Sequence, residues 1–527
     1  MSFYTEIIQL ILSKHIQTKQ DLHRTKIKLC KKYGMKTIPP DSEILSRLPD
    51  TVSEEERDYS LSLLQKKPMR TISGVAIVAV MTSPAECPHG RCIPCPGGPT
   101  TNTPQSYTGY EPAAMRAALN DYDPYLQTKN RIEQLRIIGH PTDKIDFIIM
   151  GGTFTARTPY YKEWFVKRCF DALNQYTSPT LFQAKKRNEA ASSRCIGLTL
   201  ETRPDWFSYS HADEALSLGA TRVELGVQTV YDNILFGIKR GHTVYDTIAA
   251  TRIAKESGFK VCYHTMPGLP GSTDELDIAS FHTIFEDQHF KPDMLKIYPT
   301  LTVPGTELYK QWKKGEYSPL STMKATRLLS RVKSFVPEWI RIQRIQRDVP
   351  AQYIHAGVKK SNLRQLIDQE MTKHGSSCHC IRCREVGHRS LRESLTLDET
   401  DIELMLHTYQ ASEGTEIFIS LEAQNLLIAY LRLRNLERPH RYELQREPCM
   451  IIRELKVLGR ELSLGEKKKT ALQHKGYGKE LIKEAERICI EEFDKKKLLV
   501  LSGIGVKEYY RRLGYADDGL YVCKRVA

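Results

Sequence analysis

Apolar residues follow three different rhythms along this chain. Near the amino end, Ile7, Leu10, Ile11 and Leu12 recur at helical spacing. They predict a helical module whose helical part ends at the punctuation of Pro39-Pro40 and Pro49-Asp50. From residue 71 to about 345, short apolar runs alternate with longer helical stretches. The runs cover residues 72–80, 145–150, 195–200, 222–227, 260–266 and 294–298. This alternation predicts a parallel sheet curled into a partial (β/α) barrel, with the site at the carboxyl ends of its strands. Past residue 390 the rhythm becomes that of a smaller α+β domain. Residues 424–433 and 450–458 read as neighbouring strands, and Gln473-His474-Lys475-Gly476-Tyr477-Gly478 opens a helix over 479–492. A strand over 497–502 and a short helix ending at Tyr509–Tyr515 complete it. The expected class is α/β. A basic module spans 1–70, the barrel 71–345, a linker 346–390 and the α+β domain 391–527.

Composition and charge narrow the partners. At 527 residues the chain exceeds one hydrophobic core. A net charge of +14 points to a polyanion such as nucleic acid or a phosphorylated cofactor. Lys14, Lys19, Arg24, Lys26, Lys28, Lys31, Lys32 and Lys36 run together with Asp21 as the one acid among them. They read either as a phosphate-binding face or as a solvated one. Thirteen cysteines, an odd number gathered in local triplets, suggest metal binding in a reducing compartment. The opening residues carry no secretory pattern and no apolar run is long enough for a membrane span, so a cytoplasmic protein is expected.

The chemistry concentrates in Cys87, Cys92 and Cys95, spaced C-x4-C-x2-C. Three close thiolates suit three corners of a four-iron cluster, leaving one iron open for the amino and carboxylate groups of S-adenosylmethionine. A zinc knuckle is the alternative. Gly151, Gly152, Thr153, Glu201 and Gln228 fall at strand ends beside this loop. A second cluster, Cys378, Cys380 and Cys383, suits structural zinc, with His388 or His440 as fourth ligand. Unligated thiols are the alternative there. The glycines of the 473–478 turn would expose helix-start amides to a pyrophosphate.

Taken in order, these motifs resemble the catalytic subunit of Elongator, from about residue 70 onward. The resemblance rests on the cysteine loop with Pro96-Gly97-Gly98-Pro99 and on Gln105-Ser106-Tyr107-Thr108-Gly109-Tyr110-Glu111-Pro112. It continues through Met150-Gly151-Gly152-Thr153-Phe154, Glu201-Thr202-Arg203-Pro204-Asp205 and Leu225-Gly226-Val227-Gln228. Lys296-Ile297-Tyr298-Pro299-Thr300-Leu301, Arg347-Asp348-Val349-Pro350, Arg453-Glu454-Leu455 and Ser502-Gly503-Ile504-Gly505-Val506 extend it. The short first cysteine gap is similar to archaeal and bacterial members.

That family joins a radical S-adenosylmethionine barrel to a GNAT-type acetyltransferase domain and installs a carboxymethyl group at C5 of the tRNA wobble uridine. The resemblance implies a deoxyadenosyl radical that takes hydrogen from the acetyl methyl of acetyl-CoA. Addition to C5 and thioester hydrolysis then follow, and the electron comes from an external donor. By position, Cys87, Cys92 and Cys95 would hold the cluster, and Gly151, Gly152, Thr153, Glu201 and Gln228 would hold S-adenosylmethionine. Lys144 would contact acetyl-CoA. Glu454, Leu455, Lys456 and Val457 would line the pantetheine arm. Tyr477, Gly478 and Lys479 would face its pyrophosphate, and Tyr510 would lie near the thioester. Two other functions compete: a protein lysine acetyltransferase with a structural cluster, and a tRNA-binding scaffold without activity. A homodimer is compatible with the sequence.

Overall fold

The computed structural model describes residues 2–66, 71–390, 401–459 and 475–526. Four helices make the amino-terminal module: Phe3–Leu12, Lys19–Lys32, Asp41–Leu45 and Glu54–Leu64. Side chains cap three of them. Ser2 accepts from the amide of Thr5, and Thr18 with Asp21 and Ser53 with Glu56 form reciprocal capping boxes. The helical part therefore extends beyond the two proline signals. Pro40, extended at φ −65°, is the residue that starts a helix rather than the one that ends the series. Ile7 and Ile11 are fully buried in the module's own core.

Much of its cation run is used internally. Lys26 pairs with Asp41 at 2.7 Å, Lys32 with Glu6 at 2.7 Å and Lys14 with Glu55 at 3.4 Å. Lys19 donates to the Gln65 carbonyl at 3.0 Å.

Seven strands form the first sheet: β1 Val75–Met81, β2 Lys144–Met150, β3 Arg194–Thr202, β4 Arg222–Gln228, β5 Lys260–Thr265, β6 Met294–Ile297 and β7 Arg341–Arg344. They lie in sequence order and every neighbouring pair is parallel. The expected six strands are present within a few residues, and helices cover the outer face as in a half-barrel. β7 went unread because Arg-Ile-Gln-Arg offers one apolar residue, Ile342, to mark it. Along β2, Ile145, Phe147 and Ile149 are buried toward the helices. The period of two therefore puts Lys144, Asp146, Ile148 and Met150 on the concave face.

The second sheet is mixed, in the order β13-β14-β12-β11-β10-β9-β8. Its strands are β8 Glu403–Ala411, β9 Gly414–Ala423, β10 Leu426–Asn435, β11 Cys449–Val457, β12 Lys497–Val500, β13 Ala516–Asp518 and β14 Tyr521–Arg525. Among the described residues β11 and β12 are its one parallel pair, and helix Tyr477–Glu491 lies between them in the chain. Their pairing stops at Ile452 and Val500, so β11 runs on to Val457 beyond its partner.

The two sheets share one core. Ile451, Leu499, Leu501 and Tyr521 join the same buried cluster as Phe259 and Leu295. The second sheet meets the amino ends of the barrel strands. Arg453 of β11 donates to the Phe259 carbonyl at 2.7 Å, just before β5, and grips Asp293, just before β6. Gly503 lies so close to β3 that a Cβ there would sit 2.1 Å from the Ile196 carbonyl oxygen. The second sheet thus floors the barrel and leaves the carboxyl ends of its strands at the opposite end.

Candidate active site

Cys87, Cys92 and Cys95 lie in the loop after β1, all buried. None of the thirteen cysteines is in a disulfide. Thr153 Oγ1 lies 3.5 Å from Cys87 Sγ. A Cβ added to Gly152, at φ +85°, would stand 3.7 Å from the same sulfur. The turn after β2 therefore brings bare backbone against the cysteine loop, a geometry that favours glycine. Arg240 points Nη1 at Cys92 Sγ from 3.6 Å, and His89 Nε2 lies 3.0 Å from that sulfur. Ser106 Oγ is 3.9 Å from Cys95 Sγ.

Burial pushes the thiol of Cys87 up, and burial with the neighbouring Cys92 charge pushes Cys95 to about 11. Buried thiols that resist ionisation, as those of Cys87 and Cys95 do, suit a cationic centre, which would reverse the shift. Their sulfurs do not gather within 4.8 Å of one another, whereas those of Cys378, Cys380 and Cys383 do. A single ion draws its thiolates closer than a cubane does, so the triplets fit two different centres.

Glu201 lies inside β3 and Gln228 ends β4, so both belong to strands rather than to the loops beyond. The phenol of Tyr107 donates to Glu201 at 2.9 Å, and Lys296 lies 3.4 Å from the other carboxylate oxygen. Lys296 also pairs with Glu224, which accepts from His264 at 2.8 Å. Burial alone would raise the Glu224 carboxyl. Lys296, His264 and Arg222 outweigh it and hold that carboxyl well below the usual carboxylate range. Burial and the Glu201 charge push Tyr107 far up, so it remains a proton donor to Glu201. Gln228 sits in the left-handed region at φ +72°, with Oε1 buried and lacking a protein partner. An orphaned acceptor beside the cysteine loop fits a ligand with N–H or O–H groups.

Sequence reasoning missed Tyr107 as a partner of Glu201, and with it Glu224, His264 and Lys296. Charged residues inside the otherwise apolar strands β4 and β6 were the available signal.

Lys144 opens β2 on the concave face, about 20 Å along the strand from Gly151. Its register neighbour is Arg194, and a Cβ on Gly505 would meet the Arg194 Cβ at 2.4 Å. Lys144 thus stands at the floor, one strand from the second sheet's Gly503–Val506 stretch.

In the second sheet, Gly476 at φ +99° precedes helix Tyr477–Glu491, whose first turn carries Tyr477, Gly478 and Lys479. Gln473 and His474 lie outside the described residues. A Cβ on Gly478 would lie 3.7 Å from Val457, 3.8 Å from Leu455 and 2.8 Å from the hydroxyl of Tyr509. Leu455 and Val457 therefore face the helix start, while Glu454 and Lys456 face the barrel. Glu454 pairs with Arg432 at 2.9 Å. Tyr510 is 6% exposed and packs edge-on against Tyr509 and Tyr515. Tyr509 is the neighbour whose hydroxyl reaches Gly478.

Around the second cysteine triplet, His388 lines the same cavity of about 420 Å³ as Cys378 and Cys383. His440 is engaged elsewhere, 2.8 Å from Asp213. The linker is packed structure: Val349, Ile354, Leu363 and Ile367 belong to the main core.

Fold and site define a class: a radical S-adenosylmethionine half-barrel carrying a second, mixed sheet. Residues 84–281 match the Radical SAM superfamily, 292–373 the Radical SAM C-terminal domain and 1–72 the ELP3 N-terminal domain. The tRNA uridine(34) acetyltransferase of Methanocaldococcus jannaschii is 54% identical over 92% of this chain and 90% of its own. Elongator complex protein 3 of Homo sapiens is 41% identical over 98% and 96%. A solved structure of Methanocaldococcus infernus Elp3 lacking residues 1–46 superposes with a TM-score of 0.77, at 50% identity, over 86% of this chain and all of that one. The chain belongs to the Elp3 family. Among the described residues no helix is long and apolar enough to cross a membrane.

Proposed function

We propose that this protein is an enzyme that modifies uridine 34 of tRNA, using radical S-adenosylmethionine chemistry and acetyl-CoA to place a carboxymethyl group on C5. The observation that carries this reading is the set of three buried thiols at the carboxyl ends of the strands, with Cys87 packed against Gly152 and Thr153. It joins the 54% identity to a protein named for that uridine.

Cys87, Cys92 and Cys95 would hold a four-iron cluster. Bound there, the cluster and S-adenosylmethionine supply hydrogen abstraction from an unactivated carbon. The chain's own residues bind and orient. Gly151 and Gly152 admit the methionine end to bare backbone. Glu201, fixed by Tyr107 and Lys296, accepts from a hydroxyl or amino group of the ligand. Gln228 offers its unpaired Oε1.

Acetyl-CoA would lie along β11 where it outruns β12, its pantetheine arm pairing with the strand edge at 454–457 and its pyrophosphate at the helix start of Tyr477, Gly478 and Lys479. Lys144 supports a link between the halves, because it stands on the concave face at the floor. Tyr510, with Tyr509 at its side, would lie near the thioester.

Zinc on Cys378, Cys380 and Cys383, with His388 nearest among the candidate histidines, would brace the 346–390 segment between the 71–345 and 391–527 domains. The 1–70 module would contribute to tRNA binding through the cations not already paired internally. The electron would come from an external donor, in the cytoplasm.

The test is mass spectrometry of nucleosides from tRNA incubated anaerobically with reduced protein, S-adenosylmethionine and acetyl-CoA. Carboxymethyluridine dependent on both cofactors is expected. Acetylated protein with unmodified tRNA would overturn the reading.

A further inference from the structure

A cavity of about 420 Å³ opens at the carboxyl end of β7, beside the cluster loop but separate from the groups that face the cysteines. Arg344, Arg347, Lys359 and Arg364 line it, with Asp348 as its one acid. Asp348 is already committed, in an ion pair with Arg344. The cavity therefore keeps a surplus of three positive charges, which no protein carboxylate in its lining offsets.

Its wall is fixed to the active site. The Arg347 guanidinium donates to the Ser106 carbonyl, and Ser106 Oγ lies 3.9 Å from Cys95 Sγ. One residue thus touches both the cavity wall and the cluster loop. The loop between them is held rigid from within, since the buried Glu111 carboxylate accepts the amides of Thr108 and Gly109 at 3.0 and 3.1 Å.

At the rim, Tyr110 and Tyr353 stack face to face, 3.6 Å between ring centroids and 6° between planes. Tyr110 is 46% exposed. Tyr353 follows the cavity's Pro350 and Ala351, and Tyr110 precedes its Pro112. A stacked aromatic pair with one open ring, next to clustered cations, is a composition that binds a single-stranded nucleic acid. Bases stack on the ring while phosphates meet guanidinium and ammonium groups.

We propose that this cavity seats the RNA backbone next to the reacting uridine, with phosphates on Arg347, Lys359 and Arg364 and an unstacked neighbouring base on Tyr110. The inference rests on the proposed tRNA reading and adds the place and the strand form. A duplex keeps its bases stacked inside and cannot use the Tyr110 ring, so the site selects a loop. Arg347 then couples substrate docking to the cluster loop through Ser106.

The experiment uses the full-length, cluster-loaded protein and three probes: a 5′-labelled anticodon stem–loop RNA, a blunt RNA duplex of equal phosphate number, and acetyl-CoA. Binding is titrated against salt for the parent, Lys359→Ala/Arg364→Ala and Tyr110→Ala. Each phosphate contact on single strands contributes a log–log salt slope of about −0.7, so the double variant should flatten the stem–loop slope by about 1.4. Tyr110→Ala should weaken the stem–loop about tenfold and leave the duplex unchanged. Iron content and thermal midpoint separate lost binding from lost fold, and Lys359→Glu, at an exposed position, serves as the second charge variant.

Unchanged stem–loop affinity and slope in folded variants, with the parent still binding and modifying tRNA, would overturn this inference alone. Equal losses for stem–loop and duplex would overturn the single-strand claim. Loss of acetyl-CoA binding with RNA binding kept would reassign the cavity to the cofactor's phosphates and overturn it. A parent that neither binds nor modifies tRNA would overturn the reading beneath it as well.

Discussion

Arg453 holds Asp293 at two points, Nη2 to Oδ1 at 2.6 Å and Nη1 to Oδ2 at 2.8 Å, and neither side chain is exposed. One residue belongs to the second sheet and the other stands at the foot of the barrel. Asp293 also accepts the Val261 amide at 2.8 Å, and its own carbonyl accepts the Arg341 amide at 3.0 Å. It therefore ties the feet of β5, β6 and β7 to β11. Arg453→Met would leave Asp293 and Glu416 buried beside fewer cations. Breaking a buried pair from one side costs about 3–5 kcal/mol. Urea unfolding followed by far-ultraviolet circular dichroism should show that loss. A change below about 1 kcal/mol would mean that the pair contributes little across the seam.

Acid should open the same seam. Burial raises the Glu416 carboxyl, but Arg453, Lys255 and Arg434 outweigh it and bring it from the ordinary 4.5 down to about 2. A carboxyl whose folded pKa is depressed stabilises the fold above its unfolded pKa, and that contribution disappears as pH falls through the folded value. Stability should therefore decline between about pH 4.5 and 2, with Asp293 shifted in the same direction by the same arginine. Urea midpoints at pH 6, 4 and 3 check this. Glu416→Gln should flatten the dependence, and an unaltered slope in that variant would place the acid-sensitive groups elsewhere.

Cys92→Ser should remove iron and 5′-deoxyadenosine formation together. Cys92 is the sulfur approached by both Arg240 and His89, so its loss disturbs a connected corner of the loop. Iron analysis and chromatography of reaction mixtures read the two quantities. Deoxyadenosine from the serine variant would end the cluster assignment.

Zinc and iron should separate by mutation. Cys380 is fully buried, and its sulfur lies within 4.8 Å of those of Cys378 and Cys383. Cys380→Ser should lower zinc content and the thermal midpoint while iron stays at the parent level. Elemental analysis of the parent that finds no zinc would refute the site.

Lys144→Ala should impair acetyl-CoA use and leave deoxyadenosine formation in place. A charge-assisted hydrogen bond to a CoA phosphate contributes about 1.5–3 kcal/mol, or about 10- to 100-fold in affinity. Tyr510→Phe should impair thioester use without touching iron, and Tyr509→Phe is the informative companion because its hydroxyl is the one beside Gly478. Acetyl-CoA consumption with and without tRNA is the measurement. Parental consumption in Lys144→Ala would remove that lysine from the acetyl-CoA path.

The sequence was most legible where apolar runs are unbroken. β2 through β6 follow from them directly, while the glycine turn after β2 and both cysteine triplets were legible from residue type and spacing. It was least legible where a strand carries charge. β7 offers only Ile342, and β8 holds Glu403, His407 and Gln410 among its nine residues, so neither declared itself. The same mixture hid part of the site. Glu224 and Lys296 look like misfits in apolar strands until the barrel closes and shows them facing each other. The Arg347–Ser106 contact spans 241 residues, and no local pattern can announce such a partner. Tyr509 and Tyr510 are adjacent in sequence, and only the helix phase decides which hydroxyl meets Gly478.

The floor of the barrel has a consequence for traffic between the halves. Arg432, Arg434 and Arg453 are all buried there, each matched to carboxylates on or beside the opposite sheet. Pivoting one half against the other would strip several ion pairs at once, so the seam acts as a fixed spacer. A group handed between the proposed acetyl-CoA strand edge and the cluster loop would have to ride on a long, pliant carrier. Reach, set by the carrier's own length, would then count in substrate choice alongside shape.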